Sequence, residues 1–401
     1  MLILTAFRNL FRNVRRSLAI ILTISLGTGA LYCFDGFNEG IMNQYRDNTI
    51  HSQYGHGQIN EIGYREQVYE KPWDHWIENS EEVENYLKKL KGIDYVFPRV
   101  TFFALLTNGN RTISGMGQGV STEEEAEFFY TLNIEEGEML IDQPDGILLG
   151  KGLAHSLDLH PGNNITILAN TIDGTINGID LNVTGIFHTG SQEFDNRVFR
   201  IPLGVAKELL DTEKVENIAL GLNSLDDWGG IKEEVEQQFS NLEATPFSIL
   251  DRVYYQHSVD WLNAQFSVIQ VIILTIVLLG ILNSISTAIL ERKQEIGNLR
   301  ANGESRLDIM KLLIAEGFTL GLIGSILGIL LSLLLNMTIL KHGILMPPAP
   351  GLTLQFHVPI ELQQKTAIFS CLLGLMTALF ATIVAGIRMV KIPIGEALRA
   401  I

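Results

Sequence analysis

Residues 290–317 read LERKQEIGNLRANGESRLDIMKLLIAEG, a charged island between two long apolar runs. Five bases (Arg292, Lys293, Arg300, Arg306, Lys311) balance five acids (Glu291, Glu295, Glu304, Asp308, Glu316). Gly303 reads as a helix stop, and Ser305 with Asp308 three residues on reads as the cap of a new helix. The spacing predicts two short helices joined at Asn302-Gly303 and lying at a membrane face. The plainer alternative is a solvated loop between two spans, which is what charge runs usually are.

Outward from the island, the apolar residues fall in four blocks. Ser17 to Phe34 is 18 residues long, or ~27 Å of helix, about one hydrocarbon core. The others run from about Phe266 to Leu290, from Leu312 to Leu340 and from Thr366 to Val390. No Asp, Lys or Arg stands in their centres; Glu316 and Arg388 sit near ends. The expected fold class is therefore membrane α-helical, with transmembrane helices over 17–34, 262–290, 312–340 and 366–390.

Arg8, Arg12, Arg15 and Arg16 precede the first span with no acid among them, and Arg388, Lys391 and Arg399 close the chain. Under the positive-inside rule both termini and the 291–311 segment belong in the cytoplasm. Residues 1–16 place Leu4, Phe7, Phe11 and Val14 on one face, as an interfacial helix would. A short loop, 341–365, and a tail, 391–401, complete the membrane part.

Residues 35–261 then lie outside. Asp35 to Asp260 holds 38 of the 45 acids and 15 of the 29 bases, a net charge of −23, which argues against nucleic acid as a partner. Cys33 and Cys371 lie within or beside spans, so no disulfide framework supports this domain. At about 225 residues it can bury its own core. Helical spacing over Phe34, Phe37, Ile41, Met42 and Tyr45, and again over Ser248 to Leu262, predicts two helices projecting beyond the bilayer. The flanks read as an α+β lobe, about 50–108 and 213–250, around an inserted β-rich lobe, about 109–212. Within the insert, Asn163–Ala169 and Leu181–Phe187 predict a hairpin, with Asp173-Gly174 and Asn177-Gly178 in its connection.

No catalytic constellation is present. Gly115, Gly117 and Gly119 lack the Lys-Ser/Thr of a phosphate loop and read as a turn. His51 with His56, and His155 with His160, are spaced i,i+5, which does not set both on one helical face for metal. Glu123 to Glu125 read as helix N-terminal acids. The chain is not expected to be an enzyme.

Glu291, Arg292, Glu295, Ile296, Gly297, Leu299, Arg300, Ala301, Gly303 and Ile309 resemble the cytoplasmic segment of FtsX-like ABC-transporter permeases, with Asn302 where an apolar residue is usual. Ile392-Pro393 with Glu396-Ala-Leu-Arg399 is similar to that family's C-terminus. Asp145 to Ala154, Leu157-x-Leu159-x-Pro-Gly162, and Val183-Thr-Gly-Ile-Phe187 with Gly190 resemble the periplasmic domain of lipoprotein-releasing permeases, which share a MacB-type architecture with macrolide exporters.

The resemblance implies a permease in the bacterial inner membrane, coupled mechanically to a separate ABC ATPase dimer. It implies no cofactor on this chain, with ATP and Mg held by the partner ATPase. A second permease copy or paralogue is implied too. The implied cargo is a lipoprotein lifted from the outer leaflet and passed to a periplasmic chaperone. ATPase coupling would fall to Glu291, Arg292, Glu295, Ile296, Arg300, Ala301, Gly303 and Asp308. Phe34, Phe37, Phe266 and Ile269 are candidates for an apolar substrate cavity, and ordinary helix or lipid contact is their alternative. Ile172, Asp173 and Gly174 are candidates for a chaperone-binding hairpin. The rival readings are an efflux subunit working with an adaptor and outer-membrane duct, and a non-transporting regulator of cell-wall hydrolases.

Overall fold

The computed structural model describes residues 14–67, 71–130, 132–141, 143–252, 256–348 and 355–398. Most of the expected interfacial helix, Arg399 and residues 349–354 of the 341–365 loop lie outside these. The chain divides into two units, one of residues 1–43, 260–346 and 357–401, the other of 44–259 and 347–356.

Among the described residues, the first unit is built on four helices long and apolar enough to cross a membrane. The first runs Val14–Thr49, well past the expected span end at Phe34, as the spacing of Phe37, Ile41 and Tyr45 requires. The second is His257–Leu290, the third Arg306–Thr338 and the fourth Gln364–Val390. Ser248–Leu262 is helical over Phe247–Leu250 and again from Gln256 into the long helix, with an interruption at Asp251, where φ is −102° and ψ 35°; residues 253–255 lie outside the described residues.

Without a hydrophobic drive in lipid, helices associate where small residues let their backbones close. Here a seam of glycines does this. A Cβ at Gly324 would lie 2.7 Å from Ile24 Cβ, and one at Gly328 2.6 Å from Ser25 O, so the first and third helices meet nearly backbone to backbone. Ser332 Oγ donates to Gly29 O at 3.0 Å across the same seam. Gly321 plays the equivalent part against Ala378 of the fourth helix. The second helix differs. It buries Ile281, Ile285, Ala288 and Ile289 near the island, whereas Val268, Val271, Ile272 and Ile276 are each more than half exposed.

Among the described residues, the sheet of the second unit holds ten strands in chain order: β1 Gly57–Glu61, β2 Ile93–Thr107, β3 Thr112–Val120, β4 Asn133–Gly137, β5 Gly146–Gly150, β6 Asn164–Asn170, β7 Ile176–His188, β8 Val198–Pro202, β9 Asn217–Leu222 and β10 Leu242–Pro246. One lobe is the sheet β10–β1–β9 with the first half of β2, covered by helices Ser80–Leu87 and Trp228–Gln238. The other is a closed circuit of ladders: β2 pairs β3, β3 pairs β8, β8 pairs β5, β5 pairs β7, β7 pairs β6, and β6 returns to β2. Closure removes free edges from this lobe, apart from β4 added alongside β7.

The expected lobe boundary near residue 109 moves as a result. Arg99 still pairs with β9, and Val100 already pairs with β3, so β2 belongs to both lobes and joins them rigidly. The reading of Gly115, Gly117 and Gly119 as a turn is also corrected. All three lie inside β3 and face the barrel interior, where the absent side chains leave space for Leu106, Phe102, Phe199 and Ala206.

Glu123 to Glu125 stand in the first turn of a helix, as expected, and Glu125 has a second role. It begins as an acid near a helix N-terminus, in Thr122–Phe128, but its carboxylate is buried between two guanidinium groups. Arg99 binds it bidentately, Nε to Oε1 at 2.5 Å and Nη2 to Oε2 at 2.7 Å, and Arg200 Nη1 reaches Oε2 at 3.3 Å. Arg200 also donates to Gln118 Oε1 and to Ser52 O, and Arg99 lies 4.2 Å over the Phe129 ring. Burial pushes the Arg200 guanidinium down to about 10.

Candidate functional site

The island folds as a short helix, Lys293–Ala301, followed by a turn and then directly by the third long helix from Arg306. Gly303 adopts φ +98°, which only glycine takes without strain, and ends the short helix. Ser305 Oγ accepts from Asp308 N at 3.2 Å and donates to Asp308 Oδ2 at 2.5 Å, the expected cap. The second short helix is not separate. Nothing between Asp308 and Leu312 breaks the backbone ladder, so its turns become the start of the third long helix.

The short helix is held in place by charges that look inward. Arg292 is 8 % exposed, forms a buried ion pair with Glu316, and donates from Nε to Glu295 Oε2 at 2.9 Å. Arg300 Nη1 donates to Ile392 O at 2.5 Å, and Lys293 Nζ meets Glu396 Oε1 at 3.1 Å. Gly297 lies so close to the helix Ile394–Leu398 that a Cβ there would come within 2.9 Å of Ala397 Cβ. The C-terminal helix is thus part of the island's fold, a link that its sequence signature does not reveal.

The eight residues expected to couple to an ATPase therefore divide. Arg292 and Ile296 are buried, Glu295 is half-buried and Arg300 is tied to the chain's own tail. Glu291, Ala301, Gly303 and Asp308 face outward, and the run 301–308 is exposed throughout. It includes Leu307, 72 % exposed, which the sequence reading passed over. An apolar side chain left bare between Arg306 and Asp308 is the signal that could have found it.

At the opposite end of this unit, Phe34 and Phe266 meet edge to face with ring centroids 6.2 Å apart, and Gln270 Nε2 donates to Asp35 Oδ1 at 2.9 Å. Phe37 and Ile269 are half-buried nearby in sequence on the same two helices.

The β6–β7 hairpin is present, but its turn is confined to residues 171–175. Thr171 N donates to Thr175 O at 2.7 Å, Gly174 has φ +83°, and Asn177-Gly178 lies inside β7. The tip is anchored to its own lobe: Ile172 N donates to Leu210 O at 3.1 Å, and Asn177 Nδ2 to Leu209 O at 3.1 Å. Ile172, Asp173 and Gly174 therefore sit on a tethered turn.

Two family models account for most of this architecture. Residues 17–238, more than half of the chain, match the MacB-like periplasmic core domain, and residues 267–394 match the FtsX-like permease C-terminal region. The chain is an FtsX-like permease with a MacB-like periplasmic core. This FtsX-like permease is 26% identical over 392 residues to an uncharacterised ABC transporter permease of Methanocaldococcus jannaschii, covering 94% of this chain and 92% of that one. It is 24% identical over 328 residues to the lipoprotein-releasing system transmembrane protein LolC of Neisseria meningitidis serogroup B, covering 78% and 75%. Among solved structures, the periplasmic region of MacB from Actinobacillus actinomycetemcomitans is similar over 49% of this chain and 90% of that one, with 14% identity and a TM-score of 0.37. The permease is accordingly a membrane subunit of the ABC-transporter class.

Proposed function

We propose that this permease docks a separate ABC ATPase on residues 301–308, with Leu307 as the apolar anchor and Glu291 and Asp308 at its rim. The observation that carries this is the division of the island. Arg292, Lys293 and Arg300 are bound to partners on other elements of the chain, whereas 301–308 is exposed throughout and its side-chain bonds run within its own turn and the start of the third helix. Burying a leucine side chain against a partner stabilises by about 1.5–3 kcal/mol. Arg292, Ile296 and Arg300 then hold the docking turn rigid, so that a push on it moves the third helix, of which it is the start.

In this reading the island and both termini face the cytoplasm and the MacB-like core faces outward. ATP and Mg belong to the partner ATPase, and a second permease, identical or paralogous, completes the pair. For the cargo we propose a lipoprotein released from the membrane, as the names of LolC and of LolE of Haemophilus influenzae state for those relatives. Acyl chains need an apolar surface, which Phe34, Phe37, Phe266 and Ile269 supply.

The test uses the permease with its ATPase in lipid nanodiscs, measuring ATP turnover with and without a triacylated lipoprotein. Stimulation by the lipoprotein, lost in Leu307→Asp, supports both parts of the reading. An ATPase that binds Leu307→Asp as tightly as the parent refutes the docking surface. Coupling without any response to lipoprotein refutes the cargo and favours an adaptor-linked pump.

A further inference from the structure

Residues 357–363, which lead into the fourth helix, lie across the first helix instead of standing clear of it. Glu361 N donates to Gly36 O at 2.9 Å, and Tyr32 Oη donates to Gln363 O at 3.2 Å. Gln363 Nε2 donates to Glu39 Oε1 at 2.8 Å, and Asn43 Nδ2 donates to the Glu361 carboxylate. Positions 32, 36, 39 and 43 fall on one face of a helix, so the segment follows that face for about three turns.

Two glycines make the approach possible. A Cβ at Gly36 would lie 2.8 Å from Leu362 Cδ2 and 2.9 Å from Ile360 Cγ2, and one at Gly40 would fall on the carbonyl of Pro359. Val358 is wholly buried and Ile360 nearly so. The segment is also tied to the third helix, where Asn336 Nδ2 donates to Ile360 O at 3.1 Å. Backbone and side-chain bonds thus join one short stretch to the first and third helices while the chain itself continues into the fourth. The second helix is attached differently. Near this level it meets the first through Phe34–Phe266 and Asp35–Gln270, and further along through Val277 on Gly27 and a 3.3 Å Thr23–Ser284 hydroxyl contact, while Val268, Val271, Ile272 and Ile276 stay more than half exposed.

We propose that residues 357–363 form a clasp that makes the first, third and fourth helices a single body during the transport cycle, leaving the second helix as the element that moves. Gly40 and Glu361 are its positioning residues. Gly40 admits the backbone of Pro359, and Glu361 fixes the register of the clasp against Gly36 and Asn43. The proposal rests on the reading of the chain as a mechanically coupled permease and assigns the motion within it.

The experiment compares two cysteine pairs in a background lacking Cys33 and Cys371, using the full chain with its ATPase in nanodiscs. Glu39→Cys with Gln363→Cys spans the clasp, and Asp35→Cys with Gln270→Cys spans the first and second helices. Each is bridged with a short bifunctional thiosulfonate, and ATP turnover is read before bridging, after it and after reduction. The clasp pair is expected to bridge equally well without nucleotide and with trapped ATP, and to keep turnover within about twofold. The other pair is expected to lose about tenfold and recover on reduction. Gly40→Val and Glu361→Ala are expected to abolish bridging of the clasp pair and reduce coupled turnover, and Glu361→Gln, which keeps an acceptor for Asn43, to restore both.

Loss of turnover on bridging the clasp, or full turnover with the 35–270 bridge, overturns the proposal. Spin labels at the same pairs in the permease alone separate this from a failure of ATPase coupling. A narrow 39–363 distance distribution beside a broad 35–270 one supports the clasp even if turnover is uncoupled. A broad 39–363 distribution overturns it.

Discussion

Glu125 is the shared acceptor for two arginines, and this makes the order of two substitutions calculable. In Glu125→Ala, Arg99 and Arg200, with side chains 5 % and 2 % exposed, lose the carboxylate both contact. Breaking a buried ion pair by removing one partner costs about 3–5 kcal/mol, because a desolvated charge is left behind. In Arg200→Met the bidentate Arg99–Glu125 pair survives, the methionine fills most of the volume, and the losses are the 3.3 Å contact to Glu125 and the bonds to Gln118 and Ser52 O. Each hydrogen bond to a charged donor contributes about 1.5–3 kcal/mol, but replacing the buried guanidinium by an apolar side chain recovers its desolvation cost, so the net loss stays below that of stranding two charges. For a unit of this size, about 2–4 °C of melting temperature accompanies each kcal/mol. Glu125→Ala should therefore melt about 6–20 °C below the parent, and Arg200→Met several degrees above Glu125→Ala. Tryptophan fluorescence of the intact chain in detergent measures this, since Trp76 and Trp228 are buried in the same unit. If Arg200→Met is the more damaging of the two, the charge accounting is wrong. The triple change Arg99→Met, Glu125→Leu, Arg200→Met should recover most of the loss, because no charge then remains unpaired.

Four further outcomes are expected. Desolvation, with His51 beside it, holds His56 down to about 4, and its Nδ1 accepts from Leu222 N at 3.0 Å, which needs the neutral ring. The folded value lies below the unfolded one for a base, so this contribution is complete above about pH 6.5 and is lost as pH falls toward 4. Allowing for partial exposure it amounts to about 2 kcal/mol, and denaturant melts at pH 7 and pH 4.5 should show it reduced or abolished in His56→Gln. Gly328→Val would press on the Ser25 carbonyl and should destabilise the helix seam by about 1–3 kcal/mol, read as earlier heat aggregation in detergent. Ser305→Ala removes the cap of the third helix and should cost about 1 kcal/mol, with faster amide exchange confined to residues 305–309. Leu307→Asp should leave the melting temperature unchanged, since the side chain touches little of its own chain, and should weaken ATPase co-purification at least about tenfold.

What the sequence revealed and what it hid follow from how local each determinant is. The four spans are written in composition, and the Gly303–Ser305–Asp308 punctuation in adjacent residues, so both are legible. The spacing of Phe37, Ile41 and Tyr45 likewise predicts that the first helix outruns the bilayer. The double membership of β2 depends instead on β3, β6 and β9, whose registers no local pattern specifies. Gly115, Gly117 and Gly119 mislead because glycine disfavours strands, and only the opposing Phe102 and Phe199 explain why the barrel needs them there. Glu125 looks like an ordinary helix-start acid until Arg200, 75 residues away, is brought beside it. Arg292 reads as a docking charge for the same reason, since its partner Glu316 lies on another element. Leu307 is legible as an apolar residue between Arg306 and Asp308, but the charges around it dominate the local pattern.

The first strand of the MacB-like core has a consequence for biogenesis. Gly57 pairs with Leu220 on one side and with Pro246 on the other, so β1 has no ladder partner until most of the domain has been made and exported. At 5–20 residues per second of synthesis, roughly 10–40 s separate the emergence of β1 from that of β10. The barrel, whose strands all lie between, can close while the outer sheet still waits as an open edge. A chain halted once residue 212 has cleared the export channel would leave a folded barrel tethered beside an unpaired strand, a natural substrate for the quality-control proteases of that compartment.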